Sequence, residues 1–285
     1  MKTIAVFGLA VSLIATGFAI QKLAFNFRDP KGNLVIRGTD GHYSLGLNGE
    51  VTVTVTGGGL SDATAASRNQ GLSIRAKRSA RVKAIPNKLN KKQFDIKDVL
   101  ALGDVVLTKT PTNLVQLQTT KITGSKLHYV SQDVEGVVTL NGPVAIVNTD
   151  LNQRRVLTAT GNEGTANLDP DLSAKGSGLR KARLEGDVKV VVVQARTPDQ
   201  TSDTTYTATG DILVVDYTVT PATITLLGRL KIFGSSDGGT GDVQGATKAV
   251  LTLNKKGEMT QADLSSDTPL PIVTRYRPKK KVGSS

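Results

Sequence analysis

The stretch Leu184-Glu185-Gly186-Asp187-Val188-Lys189-Val190 decides the fold. It reads as an apolar residue, any residue, a glycine, a polar residue and then an alternating strand. The phrase recurs as Leu47-Asn48-Gly49-Glu50-Val51, Ala101-Leu102-Gly103-Asp104-Val105, Leu140-Asn141-Gly142-Pro143-Val144 and Leu226-Leu227-Gly228-Arg229-Leu230. From glycine to glycine the spacings are 54, 39, 44 and 42. Repetition on this scale marks stacked supersecondary units that bury a continuous core none could bury alone.

Around each glycine the residues alternate. Val51, Val53 and Val55 alternate with Thr52, Thr54 and Thr56; Val144 and Ile146, Val188 and Val190, and Leu230 and Ile232 share parity in the same way. Such a strand has one apolar and one polar face. Branching at Cβ makes Val and Thr suit that pleated surface. A glycine within a strand marks a bulge or sharp bend, so a matched glycine before five strands predicts a repeated corner. A second phrase precedes three of the copies, as Arg75-Ala76-Lys77, Thr158-Ala159-Thr160 and Thr207-Ala208-Thr209. Asp169-Pro170 and Lys256-Gly257 read as turns, and no helical period of useful length follows residue 20. The expected fold is therefore all-β and elongated, its repeating unit a pair or trio of strands. An ordinary β-sandwich fits the same alternation.

Composition narrows the chemistry. The 285 residues carry 36 Lys+Arg against 24 Asp+Glu, with no Cys, no Trp, two His and 4% aromatics. Without Cys there is no disulfide framework, thiolate metal site or cysteine nucleophile. His42 and His128 are too few for a His-rich metal site. His42 reads as part of a turn and His128 as a strand residue, each with a surface or packing role. No catalytic residue, metal or cofactor is expected. Gly57-Gly58-Gly59 and Gly238-Gly239-Thr240-Gly241-Asp242 read as flexible loops, and neither joins a strand to a helix as a phosphate loop would. Sparse aromatics argue against a sugar cleft and against stacking on nucleic acid, which is not an expected partner.

The amino terminus reads as an export signal, residues 1–19. Met1-Lys2 is the positive start, Ile4 to Ala15 the apolar stretch, and Gly17-Phe18-Ala19 the small-residue cleavage site. The competing reading is an uncleaved anchor, since Thr3 to Ile20 is about the minimum length that spans a bilayer. Either way the remainder is expected to be exported, to the periplasm or anchored at the inner membrane.

Thr207-Ala208-Thr209-Gly210-Asp211 through Ile224-Thr225-Leu226-Leu227-Gly228-Arg229-Leu230-Lys231-Ile232 resembles the OstA-like family of periplasmic lipopolysaccharide-transport proteins. Ala246 to Leu253 looks like the family's next strand, and Thr158 to Val193 is a second, looser match. The resemblance implies a β-jelly-roll built as a folded, V-shaped antiparallel sheet, as one unit or two in tandem. On that division residues 28–150 form one half, 151–270 the other, and 271–285 a flexible basic tail. It further implies a non-enzymatic carrier or bridge whose apolar interior holds acyl chains of lipopolysaccharide or a similar anionic lipid. The candidate lining is Val51, Val53, Val55, Val105, Val144, Ile146, Val188, Val190, Leu230 and Ile232. Other jelly-roll transport proteins, or further copies of the chain, would join end to end by strand addition at sheet edges. By their alternation alone these positions suit a filled core equally well. The alternative function is a structural or adhesive exported β-repeat protein without lipid cargo; a polysaccharide-acting enzyme is a distant third.

The charge is clustered. Arg75, Lys77, Arg78, Arg81 and Lys83 open a basic stretch reaching Lys97, and Arg275 to Lys281 forms another. Such clusters attract phosphates. In an exported protein the accessible phosphates are those of lipid headgroups, lipid A or teichoic-type polymers, and the first five are the candidate anionic-headgroup residues. Lys along sheet edges also guards against edge-to-edge aggregation, which is the purely structural role for the same residues.

Overall fold

The computed structural model describes residues 25–58, 62–110, 118–132, 135–151, 154–168, 179–254, 259–269 and 271–278. The expected signal or anchor, Asp169-Pro170 and Lys256-Gly257 lie outside the described residues. No described helix is long and apolar enough to cross a membrane.

The described chain is all-β and forms one sheet of 19 strands, every pairing antiparallel. The first seven are β1 (Phe25–Arg28), β2 (Leu34–Gly38), β3 (Asp40–Leu45), β4 (Val51–Thr56), β5 (Ala63–Ser67), β6 (Leu72–Ala76) and β7 (Ser79–Pro86). Six long strands follow: β8 (Phe94–Lys109), β9 (Gln118–Ser131), β10 (Gly136–Asp150), β11 (Arg155–Leu168), β12 (Leu179–Gln194) and β13 (Thr204–Asp216). The last are β14 (Ala222–Leu227), β15 (Lys231–Ser236), β16 (Gly239–Gln244), β17 (Lys248–Leu253), β18 (Met259–Ser265) and β19 (Val273–Pro278).

The sheet is folded along a line that crosses the strands. Register breaks fall at Leu102/Val105 in β8, Asn141/Val144 in β10, Thr160/Glu163 in β11 and Glu185/Val188 in β12. On one side of that line β8 pairs with β7, and on the other with β6. Likewise β13 pairs with β14 on one side and β15 on the other. Consecutive short strands such as β2 and β3, β6 and β7, or β14 and β15 are therefore the two limbs of single bent strands. The first arm runs from β3 through β4 and β7 to β18. The second runs from β1 through β2, β5 and β6 to β19. The two arms enclose the core, as expected of a folded V.

Four of the five matched glycines, Gly103, Gly142, Gly186 and Gly228, sit on the fold line, each with positive φ. Gly49 does not. It belongs to the turn between β3 and β4, where its N–H donates to the Gly46 carbonyl. At Gly186, φ is +75°, and an added Cβ would lie 2.6 Å from the Asn162 side chain. Asp187 follows with φ +48°, so two successive left-handed residues turn the chain. Gly142 meets the Ser125 side chain in the same manner, Gly103 meets Arg78 and Gly228 meets Asp211. Each of these four glycines thus faces a side chain at the bend of the neighbouring strand, and the repeating unit is a hairpin of two bent strands. The alanines of the second phrase, Ala76, Ala159 and Ala208, lie just before the fold line in the second arm, where converging arms leave room for small side chains.

Other expectations change. His42 lies in strand β3, and Gly239 and Gly241 lie in strand β16, because both segments find antiparallel partners. Residues 273–278, read as the start of a flexible tail, form β19, paired with β16. Across residues 150 and 151, β10 and β11 pair along nearly their whole lengths on both sides of the fold line, so the sheet is continuous there.

Candidate functional site

All ten candidate lining residues face the interior or sit at its apex. Val51, Val53, Val55, Val105, Val144, Ile146, Val188, Val190 and Leu230 are buried, the most accessible being Val190 at 7%. Ile232 is partly buried against them. The alternation that identified them matches the pleat: Val53 and Val82 are cross-strand partners, as are Val190 and Ala208, then Ala208 and Ile232.

The five basic candidates lie elsewhere. Arg75 alternates with buried Ile74 and Ala76, and Arg81 and Lys83 with Ala80, Val82 and Ala84, so these three project from the outer face. Lys77 and Arg78 occupy the bend between β6 and β7. Three of the five are in ion pairs: Arg75 with Asp62 at 3.3 Å, Lys77 with Asp104 at 2.8 Å and Lys83 with Glu50 at 3.0 Å. Hydrogen bonding to Lys77 holds the Asp104 carboxyl below its usual range. These pairs are solvent-exposed, so they contribute little to stability. The acyl-chain and headgroup candidates face opposite sides of the sheet and do not converge on one site. His128 also projects outward and is 3.0 Å from Asp98.

The interior is not uniform along the stack. In the N-terminal strands Leu34, Ile36, Val53, Val55, Ala65, Ile74 and Val82 are fully excluded from solvent. In the C-terminal strands the inward-facing Val192, Ala208, Ile232, Leu251 and Leu264 are only partly buried. One register row of the second arm runs Val192, Tyr206, Gly234, Gly241, Tyr276. Its two tyrosines are 43% and 65% exposed and flank two glycines. The Tyr206 ring lies over Gly234, 3.2 Å from where a Cβ would stand. The Tyr276 hydroxyl donates to the Gly238 carbonyl. This row, with Ala208 and Ile232 beside it, is an apolar inner face that the sheet does not cover.

At the opposite end the arms are joined at their tips, across from the fold line. Pairing of β8 with β9 begins at Asp98 and Val130, so β9 does not reach Phe94 and Ile96. Side chains from the second arm take its place. The Phe94 N–H donates to Asp29 Oδ2 at 3.0 Å, and the Phe94 carbonyl accepts from Asn33 Nδ2 at 2.6 Å. The Ile96 N–H donates to Gln70 Oε1 at 2.7 Å, and its carbonyl accepts from Gln70 Nε2 at 2.9 Å. Asp29 Oδ1 and Asn33 Oδ1 accept from the backbone N–H groups of Asn33 and Asn69. Lys109 Nζ donates to the Gln70 carbonyl at 2.7 Å. Buried polar groups left unpaired are costly, and this seam satisfies them with side chains imitating a strand edge. Beside it, Phe27 of the second arm and Tyr43 of the first meet with ring centroids 6.1 Å apart.

Sequence reasoning missed both the seam and the tyrosine row. Asp29, Asn33 and Gln70 lie in local contexts that read as turns, and their partners are 26 to 65 positions away. Among the described residues, no group of three or more His, Asp or Glu is placed to hold a metal ion. No family model, curated protein or solved structure matches the chain.

Proposed function

We propose that the chain is a non-enzymatic exported carrier or bridge for lipopolysaccharide or a similar anionic lipid, holding acyl chains between the arms of its folded sheet. The observation that carries this reading is the uncovered apolar inner face of the C-terminal strands, continuous with the buried core. Apolar burial is worth roughly 25 cal/mol per Å², so such a face can retain an acyl chain without covalent chemistry. The outer edges of β18 and β19 are the places for strand addition to a partner. Photo-crosslinking in cells from Val190 and Ile232 tests the reading. Adducts with lipid support it, and adducts with proteins alone overturn it. Depletion should make precursor lipid accumulate at the inner membrane.

The second reading, a structural or adhesive β-repeat protein without cargo, is favoured by one observation. Nine of the ten candidate lining residues are buried in a close-packed core. An adhesin should leave lipid distribution unchanged on depletion.

A further inference from the structure

We infer that the outer side of the fold line carries a binding site for a small zwitterion: a primary ammonium and a phosphate joined by a short tether, as in an ethanolamine phosphate. The site does not depend on the carrier reading, because it lies on the side of the sheet away from the apolar interior. It is a cleft of about 410 Å³ at the bends of β12, β13 and the chain joining β14 to β15. Buried Val188 and Gly210 form its floor, and the exposed side chains of Asp187, Asp211, Arg229 and Lys231 form its walls. The cleft exists because the ladder is interrupted there. Pairing of β13 with β14 ends at Ile212, and pairing with β15 begins at Thr209. Gly228 and Leu230 donate their N–H groups away from β13, to the carbonyls of Thr247 and Ala246.

The bend at Gly103 neutralises its own charge, through the ion pair of Lys77 and Asp104 at 2.8 Å. At this cleft none of the four charged side chains is in an ion pair among the described residues. The charges are also sorted. Asp187 and Asp211 stand at two adjacent bends, and the Asp211 carboxylate rests over Gly228. Lys231 and Lys189 are the two cross-strand partners of Thr209, whose side chain also lines the cleft. From Asp211 to Thr209 is two residues along β13, roughly 7 Å. An ammonium between the carboxylates and a phosphate over the Thr209 hydroxyl, within reach of Lys231 and Arg229, fit that separation. Arg and Lys hold phosphate by charge-assisted hydrogen bonds.

The test is an amide NMR titration of the full chain with O-phosphoethanolamine, with ethanolamine and with methyl phosphate. Saturable shifts are expected for the zwitterion at the amides of Gly186, Gly210 and Gly228, with a Kd of about 1 mM, because exposed ion pairs each contribute little. Either half alone should bind about tenfold more weakly. Asp187→Asn/Asp211→Asn should remove the advantage over methyl phosphate, and Arg229→Gln/Lys231→Gln the advantage over ethanolamine. All four side chains are exposed, and an unchanged urea midpoint shows that each variant keeps the fold. Dihexanoyl phosphatidylethanolamine, below its micelle concentration, presents the same group on a lipid. Binding tighter than that of the free compound, and lost in the same variants, assigns the site to a lipid headgroup; weaker binding assigns it to a free ethanolamine phosphate. Methyl phosphate binding as tightly as the zwitterion overturns the proposal, because the carboxylates then take no part. Parental affinity in both double variants places binding elsewhere and also overturns it, as does an absence of saturable shifts well above the expected Kd. None of these outcomes bears on lipid crosslinking from Val190 and Ile232, so the carrier reading stands or falls separately.

Discussion

Asn33 donates from its side-chain amide to the Phe94 carbonyl at 2.6 Å, across a sequence separation of 61 residues. It thereby ties the tip of one arm to the tip of the other. The same side chain accepts from the Asn69 N–H at 2.7 Å. Asn33→Ala removes both bonds and leaves a buried carbonyl and an amide without these partners. The expected loss of stability is about 2 kcal/mol. Urea unfolding should show a lower midpoint at unchanged slope. A midpoint within error of the parent would mean that the seam does not hold the arms together.

Asp95 lies beside this seam. Burial pushes its carboxyl above the usual range; a hydrogen bond from Asn87 opposes that, and the nearby Asp29 carboxylate adds to it. Its Oδ1 is buried and has no hydrogen-bond partner among the described residues. The folded state therefore binds this proton more tightly than the unfolded state does. The associated stability is fully present below the unfolded value, about 3.9, and is lost as pH rises through the higher folded value. Asp95→Asn should raise the melting temperature at neutral pH and flatten its dependence on pH above 4. Melting curves of parent and variant at both ends of that window check this, and a lower neutral melting temperature for the variant refutes it.

Gly186→Ala places a Cβ in the left-handed region and against Asn162. The conformational cost alone is about 1–2 kcal/mol. Gly58→Ala is the control, because its Cβ would meet only Thr39 Oγ1, at 3.8 Å. Calorimetry should show the first variant clearly destabilised and the second near the parent.

Asp237 joins two turns at the tip of the second arm. It accepts from the Ser202 hydroxyl at 2.6 Å and from the Thr201 N–H and hydroxyl at 2.6 and 2.7 Å, and these bonds hold its carboxyl at about 2. A lowered value means that its contribution is present above the ordinary carboxylate range and fades as pH falls toward 2. Asp237→Ala should speed amide exchange at Thr201 at neutral pH without shifting global unfolding. Exchange at the parental rate would show the clasp to be idle.

The repeated phrase made the fold legible because period-two alternation and bend glycines are local signals. Val188 and Val190 face inward as their spacing requires, and Gly103, Gly142, Gly186 and Gly228 mark the bends. Gly49 carried the same letters in a different setting: Asn48-Gly49 is a hairpin-turn pair, and alternation on either side of a tight turn matches alternation on either side of a bend. The basic stretch was legible as charge but not as surface, because Asp62, Asp104 and Glu50 come to Arg75, Lys77 and Lys83 only through folding. The seam was invisible for the same reason, since Asp29, Asn33 and Gln70 find Phe94 and Ile96 only through strand order.

The pairing of Gly142 with Ser125 and of Gly186 with Asn162 at successive bends sets a rule for how such a chain lengthens by duplication. Inserting or deleting one hairpin keeps Gly142 or Gly186 beside a side-chain-bearing neighbour and preserves chain direction. Inserting a single bent strand reverses the direction of every strand that follows and separates one of these glycines from its side-chain partner. Viable relatives should therefore differ in length by steps of about two bent strands.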